Sequence, residues 1–268
     1  MRRCVPTKCA DTYRSLRLNE MIECCRSTMT ATTDRVEGGI VLFAGPGSVC
    51  SNLFPWECVL DGRSFQSNEH AYQWAKLRYL GLASEAEDVF NTTDVFAAMR
   101  LAKERVELAK DDPCRRERVA RWRREEAENL LHHLASIKIN RCPVAINFMK
   151  TNVKIGTGGR VMTEFWECTR DEYWGIGARK NEFDGMNEQE IRTFASTRRG
   201  QNKFGKILKN AVQERAYFIE SGACVLRPSW YFRSEWLDSD AGSSTSSQEE
   251  RQQQGAIEAR RGRSGSNE

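Results

Sequence analysis

Several features that would classify a protein quickly are missing from this sequence of 268 residues. No run of about 18 apolar residues occurs, so no membrane-spanning helix and no membrane partner are expected. The N-terminal segment also lacks the apolar stretch of a secretory signal. We therefore expect an intracellular protein, cytoplasmic in the first instance, with a nuclear or mitochondrial location as the alternatives.

Metal and nucleophile motifs are missing as well. The chain has only three histidines, and its ten cysteines form no Cys-x-x-Cys pair, which counts against a zinc site. It contains no Gly-x-Ser-x-Gly elbow and no Walker phosphate loop. We expect reduced thiols, no metal and no cofactor, and a chemistry carried by carboxylates, basic groups and aromatic rings.

Charge of one sign is not in large excess. The chain has 41 Lys and Arg against 37 Asp and Glu, a net charge of +4, and such a surplus does not indicate nucleic acid by itself. One basic cluster stands out, interleaved with glutamates. It is either a solvated helix face or a phosphate-contacting surface for DNA, and it comprises Arg115, Arg116, Arg118, Arg121, Arg123 and Arg124.

Composition divides the chain into a patterned domain and its flanks. We expect a flexible extension at 1–37 and a folded domain at 38–222. An aromatic segment without an assigned role follows at 223–237, and the Ser-, Gln- and Gly-rich tail at 238–268 should be disordered.

Hydrophobic periodicity within the domain predicts both strands and helices. The strands are a buried run at 40–43, a hairpin around Asp61-Gly62, and an alternating run at 161–168. The helices are predicted at 67–80, from 95 onward, at 119–139, from Pro143, and after Asn202 as a cap. The result is α+β: a compact, mostly helical single domain around a small sheet.

The first candidate for chemistry lies on the helix predicted at 67–80. Glu69, Tyr72, Gln73 and Lys76 fall at i, i+3, i+4 and i+7 and so share one helical face. An ordinary solvated surface is the simpler interpretation. The position of Glu69 in the first turn favours function, since that end of a helix stabilises a carboxylate or a ligand phosphate.

Two glycine-containing loops are further candidates. The first begins at Asp171 and continues through Tyr173, Trp174 and Gly175; it is either a binding loop at a strand end or a structural turn with Trp174 in the core. The second, at 200–205, could hold a phosphate at a helix N-terminus. Asn202 as a plain helix cap explains it equally well.

These pieces occur in a fixed order along the chain. The order is Ser51-Asn52-Leu53-Phe54, then Ser67-Asn68-Glu69-His70 with Gln73 and Lys76, then Trp122, Lys138 and Pro143, then Asp171 with Tyr173-Trp174-Gly175, and finally Gly200-x-Asn202-x-Phe204-Gly205. This series resembles the NADAR family of YbiA-like N-glycosidases over roughly residues 40–212.

The resemblance implies a compact, mostly helical α+β domain that cleaves N-glycosidic bonds of phosphorylated ribosides. It implies Glu69 and Asp171 as catalytic residues and Trp122 as a functional tryptophan. In the substrate-binding set, either Trp122 or Trp174 would stack on the base or shape the pocket, and Lys76 would bind the 5′-phosphate. The motif residues Gly175 and Asn202 complete the set.

The resemblance leaves the substrate open, because the chain departs from the family pattern at Ile176 and in a long stretch at 178–199. We expect a phosphoribosyl substrate from early riboflavin biosynthesis, namely a phosphoribosylamino-pyrimidine. One alternative is removal of ADP-ribose from guanine in DNA or nucleotides, which the arginine cluster would serve. Another is a non-catalytic module that binds ADP-ribose or a nucleotide.

Overall fold

The computed structural model describes residues 32–221 of the chain. It confirms the predicted class, since helices predominate and accompany a small sheet of few strands. Most of the predicted N-terminal extension, the aromatic segment at 223–237 and the tail at 238–268 lie outside the described residues.

A three-stranded sheet contains β1 (Arg35–Glu37), β2 (Ile40–Phe43) and β5 (Glu164–Glu167). β2 is central, antiparallel to β1 and parallel to β5. Its four residues are all buried, as a continuous apolar run predicts for a strand covered on both faces. β1 begins at residue 35, so chain pairing starts earlier than the predicted domain boundary at residue 38.

The strand predicted at 161–168 is shorter than expected. Only Glu164–Glu167 pairs with β2, whereas Val161 forms an isolated bridge with Ile155. The alternation in the sequence extends beyond the pairing because β2 offers only four residues as a partner.

The predicted hairpin is confirmed as β3 (Cys58–Leu60) paired antiparallel with β4 (Arg63–Phe65). Asp61 and Gly62 have φ angles of 52° and 71°. Positive φ at both central residues is the geometry of a two-residue type I′ turn, which an Asp-Gly pair adopts readily.

The helices, in chain order, are α1 (Asn68–Tyr79), α2 (Ala83–Phe90), α3 (Val95–Ala109), α4 (Pro113–Arg121), α5 (Ala127–Arg141), α6 (Pro143–Asn152), α7 (Glu188–Ser196) and α8 (Lys203–Ser221). The chain's contacts divide it into two units: residues 32–69 and 131–221 of the described part form the first, and residues 70–130 form the second. No helix among residues 32–221 is long and apolar enough to cross a membrane.

The first unit has its core beside the three-stranded sheet. α8 packs against β5, and the ring of Phe204 meets that of Phe43 edge-on at 5.9 Å between centroids. Gly205 permits this close approach, because a Cβ there would lie 2.0 Å from the carbonyl oxygen of Phe165. The packing therefore fixes the end of β5 against the start of α8.

The second unit is helical, and it corrects one prediction. The helix predicted at 119–139 is present, but it extends over residues 113–141, and a π-helical turn at Trp122–Glu126 divides it into α4 and α5. α4 also begins earlier than predicted, since Asp112 caps it by accepting from the N–H groups of Cys114 and Arg115. The local periodicity did not reveal the extra residue that a π turn inserts.

Candidate active site

Glu69 lies in the first turn of α1 and is half-buried. Its backbone N–H donates to the carbonyl of Asn52 at 3.0 Å. The preceding Asn68 is buried, accepts a hydrogen bond from the Trp56 indole at 3.0 Å and donates to the Asn52 side chain at 3.4 Å. The Ser51–Phe54 motif thus fixes the start of α1, and with it the position of the Glu69 carboxylate.

Lys138 holds the same motif from the other side. Its buried ammonium group donates to the Ser51 carbonyl at 2.5 Å and lies 5.2 Å from the centre of the Phe54 ring. Burial lowers the pKa of Lys138 to about 8, partly offset by the neighbouring thiols of Cys50 and Cys142. Three separate pieces of the ordered motif series therefore meet in the first unit.

The loop that begins at Asp171 is a closed turn at the end of β5. The Asp171 carboxylate accepts from the N–H groups of Tyr173 at 2.9 Å and Trp174 at 3.0 Å, and its carbonyl accepts from Gly175 at 2.9 Å. Gly175 is buried, and a Cβ there would lie 2.7 Å from the Glu167 carbonyl. Gly175 therefore serves close packing of the loop, while the half-buried Trp174 ring stands edge-on to Tyr173 at 4.8 Å.

The loop at 200–205 is not arranged to hold a phosphate. The N–H groups of Asn202, Lys203 and Phe204 donate to carbonyls of the Asp171 loop, namely those of Gly175, Tyr173 and Trp174. The donors that an anion would need at the start of α8 are therefore already used.

Asn202 is neither a normal helix cap nor placed as a substrate contact; its side chain binds the backbone. Its φ of 49° lies in the left-handed region, whereas a helix cap is normally extended. Its side-chain amide accepts from the Glu167 N–H at 3.1 Å and donates to the Phe165 carbonyl at 2.9 Å. Both ends of the amide thus bind the backbone of β5, and the substrate-contact expectation gains no support from this geometry.

Replacing Asn202 with alanine should lower the free energy of unfolding by about 3 kcal/mol. The variant leaves two backbone groups of β5 without a partner and places an alanine at positive φ. Asn140→Ala is the matched control, since its exposed side chain bonds only to Ser136 within α5; a change within about 0.5 kcal/mol is expected there. Equal chemical-denaturation midpoints for the two variants would contradict this role for Asn202.

The structure adds one residue that the sequence predictions omitted, Glu167, the last residue of β5. Its Oε2 atom is buried and has no hydrogen-bond partner. Burial, followed by the nearby carboxylates of Glu69 and Asp171, raises the pKa of Glu167 to about 8. Its signal in the sequence was its place at the end of a predicted strand, just before the Asp171 loop and on the same strand face as the buried Phe165.

Glu69 and Asp171 therefore act electrostatically on Glu167 within the first unit, and we call these three residues the carboxyl cluster. The group with the raised pKa is largely protonated at neutral pH and can donate a proton. Carboxylate groups beside it can stabilise positive charge that develops on a bound molecule. Among residues 32–221, no set of three His, Cys, Asp or Glu side chains is placed to hold a metal ion.

Two predicted site residues, Lys76 and Trp122, belong to the second unit. The Trp122 ring is buried in the π-helical turn, packs on Tyr72 and Tyr79 at centroid distances of 5.7 and 5.1 Å, and donates to the Tyr72 hydroxyl at 3.2 Å. The Lys76 ammonium lies 5.8 Å from the centre of the Tyr72 ring. Within the second unit, Trp122 is thus a packing residue in contact with Tyr72 and Tyr79.

Comparison with protein-family models finds none that matches this chain, and a search of curated proteins likewise gives no match. The likeness to the NADAR family therefore depends on the ordered residues of the sequence alone.

Proposed function

We propose that this protein is an N-glycosidase that hydrolyses the N-glycosidic bond of phosphorylated ribosides. The observation that carries the proposal is the carboxyl cluster of Glu69, Glu167 and Asp171. Its members come from two distant segments of the chain, and two of them belong to the motif series that resembles the NADAR family.

The chemistry of the reaction fits such a cluster. Breaking the bond between a ribose carbon and a base nitrogen passes through an oxocarbenium-like state, in which positive charge spreads over the sugar. A carboxylate stabilises that charge and accepts a proton from the attacking water. Glu69 is the residue we propose for this role, since the first turn of α1 and the Asn52 carbonyl fix its position.

The substrate class that we propose is the phosphoribosylamino-pyrimidines of early riboflavin biosynthesis. Trp174, half-buried beside Tyr173, offers a ring on which a pyrimidine can stack. Asp171 holds the backbone of that tryptophan through its carboxylate, so its contribution is to position the loop.

The test is product analysis by mass spectrometry. The protein is incubated separately with a phosphoribosylamino-uracil and with ADP-ribosylated guanosine. Release of ribose 5-phosphate from the first substrate is the expected result. Binding of nucleotide in a calorimeter, with no product from either substrate after long incubation, would instead indicate a non-catalytic binding module.

A second candidate function, removal of ADP-ribose from guanine in DNA, is favoured by the arginine cluster. All six of its members are exposed, four on α4 and two on the π-helical turn. Two of them already pair with acidic neighbours, Arg124 with Glu117 at 3.2 Å and Arg115 with Asp112 at 3.8 Å. The cluster is thus both partly neutralised and accessible to a polyanion.

Salt dependence separates the two candidates. Activity on modified DNA through six phosphate contacts should fall about 10³-fold between 50 and 200 mM salt. Activity on a free phosphoribosyl substrate should change far less, because it needs no extended phosphate contact. If activity on modified DNA did not change with salt concentration, the arginine cluster could not be the DNA-binding surface.

A further inference from the structure

Glu167 is the one member of the carboxyl cluster whose polar atom has no partner. Its backbone is fully engaged, since its N–H donates to Asn202 and its carbonyl accepts from Thr169 and Ile176. Its side-chain Oε2, by contrast, is buried without a hydrogen bond. A buried carboxyl oxygen without a hydrogen bond is costly to keep, and such oxygens are typical of groups retained for function.

The residues around Glu167 favour the protonated form of its carboxyl group. The charged groups that act on it are the carboxylates of Glu69, from α1, and Asp171, from the loop after β5. From β2 the paired residue is Phe43, and from the start of α8 the contact is the neutral amide of Asn202. None of these four neighbours supplies a positive charge that would favour the ionised form.

Asp171 is poorly suited to deliver a proton. One of its carboxylate oxygens already accepts the backbone N–H groups of Tyr173 and Trp174, which commits it to holding the loop. The side chain is also exposed. The Oε2 atom of Glu167, by contrast, is buried and has no hydrogen-bond partner.

We infer that Glu167 is the general acid of the site, the group that protonates the departing base nitrogen. This inference rests on the proposed N-glycosidase function and assigns a second catalytic residue to it, beside Glu69. The need is chemical, since an amine or amide nitrogen leaves poorly as an anion and well as a neutral molecule.

The step balances as follows. The C1′–N bond breaks, its electron pair goes to the nitrogen, and the Glu167 carboxyl gives that nitrogen a proton. Glu69 takes a proton from water as the water oxygen bonds to C1′. The products are a free base and a ribose with a C1′ hydroxyl, and proton exchange with solvent returns Glu167 to its acid form and Glu69 to its carboxylate.

The decisive experiment compares wild type with Glu167→Gln on two ribosides. One is a phosphoribosylamino-uracil, whose nitrogen needs a proton to leave. The other is nicotinamide mononucleotide, whose cationic ring leaves as a neutral molecule without one. We expect kcat on the first to fall about 10²- to 10⁴-fold and kcat on the second to change by less than about 3-fold. The exposed neighbour Glu172 supplies the matched control, Glu172→Gln, which should match wild type on both.

The pH profile of kcat is a second measurement, and substituting a residue with only a structural role would not change its shape. A general acid works only while protonated, so wild-type kcat should decline as pH rises through the pKa of Glu167, about 8. Glu167→Gln should lose this decline, and Glu167→Asp, which keeps an acid group, should retain it at reduced activity. Thermal melting of each variant establishes that it is folded.

The outcomes are distinguishable. An equal loss on both ribosides, or an unchanged basic decline in Glu167→Gln, overturns the role of Glu167 and leaves the proposed function standing. A wild-type protein that cleaves neither riboside overturns the proposed function and this inference together.

Discussion

Glu69→Gln is expected to reduce the hydrolysis of a phosphoribosylamino-uracil by about 10³-fold or more while the protein remains folded. The amide keeps the size of the side chain and removes its negative charge. It can neither accept a proton from water nor stabilise positive charge on the ribose. The substitution leaves the backbone hydrogen bond from residue 69 to Asn52 in place. The measurement is steady-state kcat and KM, with the loss confined to kcat.

A matched control comes from another helix. Glu85 is likewise a half-buried glutamate in the first turn of a helix, α2. Glu85→Gln repeats the change in charge and the weaker interaction with a helix dipole, which affects stability by about 0.3–1 kcal/mol. Its activity should equal that of the wild type. Comparable activity in Glu69→Gln and Glu85→Gln would remove Glu69 from the mechanism.

Gly205→Ala is expected to cost about 3–5 kcal/mol of unfolding free energy. The added Cβ would lie 2.0 Å from the Phe165 carbonyl oxygen and 2.4 Å from the Asn202 side-chain oxygen. Neither can yield easily, because Phe165 is in β5 and the Asn202 amide is bound to that strand. Helix propensity alone predicts the opposite sign, since alanine is favoured over glycine within a helix by about 1 kcal/mol.

The sign of the change in unfolding free energy therefore shows whether helix propensity or packing against β5 determines the residue at position 205. Chemical denaturation of the full chain measures it. Gly39→Ala is the control, because a Cβ there meets only side-chain atoms at 3.7 and 3.8 Å, which is ordinary contact. Stabilisation by Gly205→Ala would contradict the close packing of Gly205 in α8 against the Phe165 carbonyl of β5.

Local signals in the sequence were sufficient for much of the fold. The apolar run at 40–43 predicted a buried strand, and Asp61-Gly62 predicted a tight hairpin, because each depends only on neighbouring residues. The π-helical turn at Trp122–Glu126 was not predicted, because apolar periodicity indicates a helix without distinguishing i→i+5 from i→i+4 hydrogen bonds. The ends of β5 were missed because they depend on how far β2 extends as its partner.

In the candidate site too, features that depend on neighbouring residues could be predicted and features that depend on distant residues could not. Glu69 and Asp171 could be found because they belong to recognisable motifs. Glu167 could not, because its raised pKa comes from burial in the fold and from the charge of Glu69, almost one hundred positions earlier in the chain. The left-handed backbone of Asn202 also depends on a distant partner, since its amide bridges two backbone groups of β5.

The account rests on one claim above all: Glu69, Glu167 and Asp171 share a site in which Glu167 keeps its proton at neutral pH. A ¹³C NMR titration of the glutamate side-chain carboxyls measures this directly, with Glu167→Gln identifying the resonance. The account predicts a midpoint near 8 that moves lower in Glu69→Gln, because the Glu69 carboxylate helps to raise it. A midpoint in the ordinary range near 4.3, or one indifferent to the loss of the Glu69 charge, would contradict it.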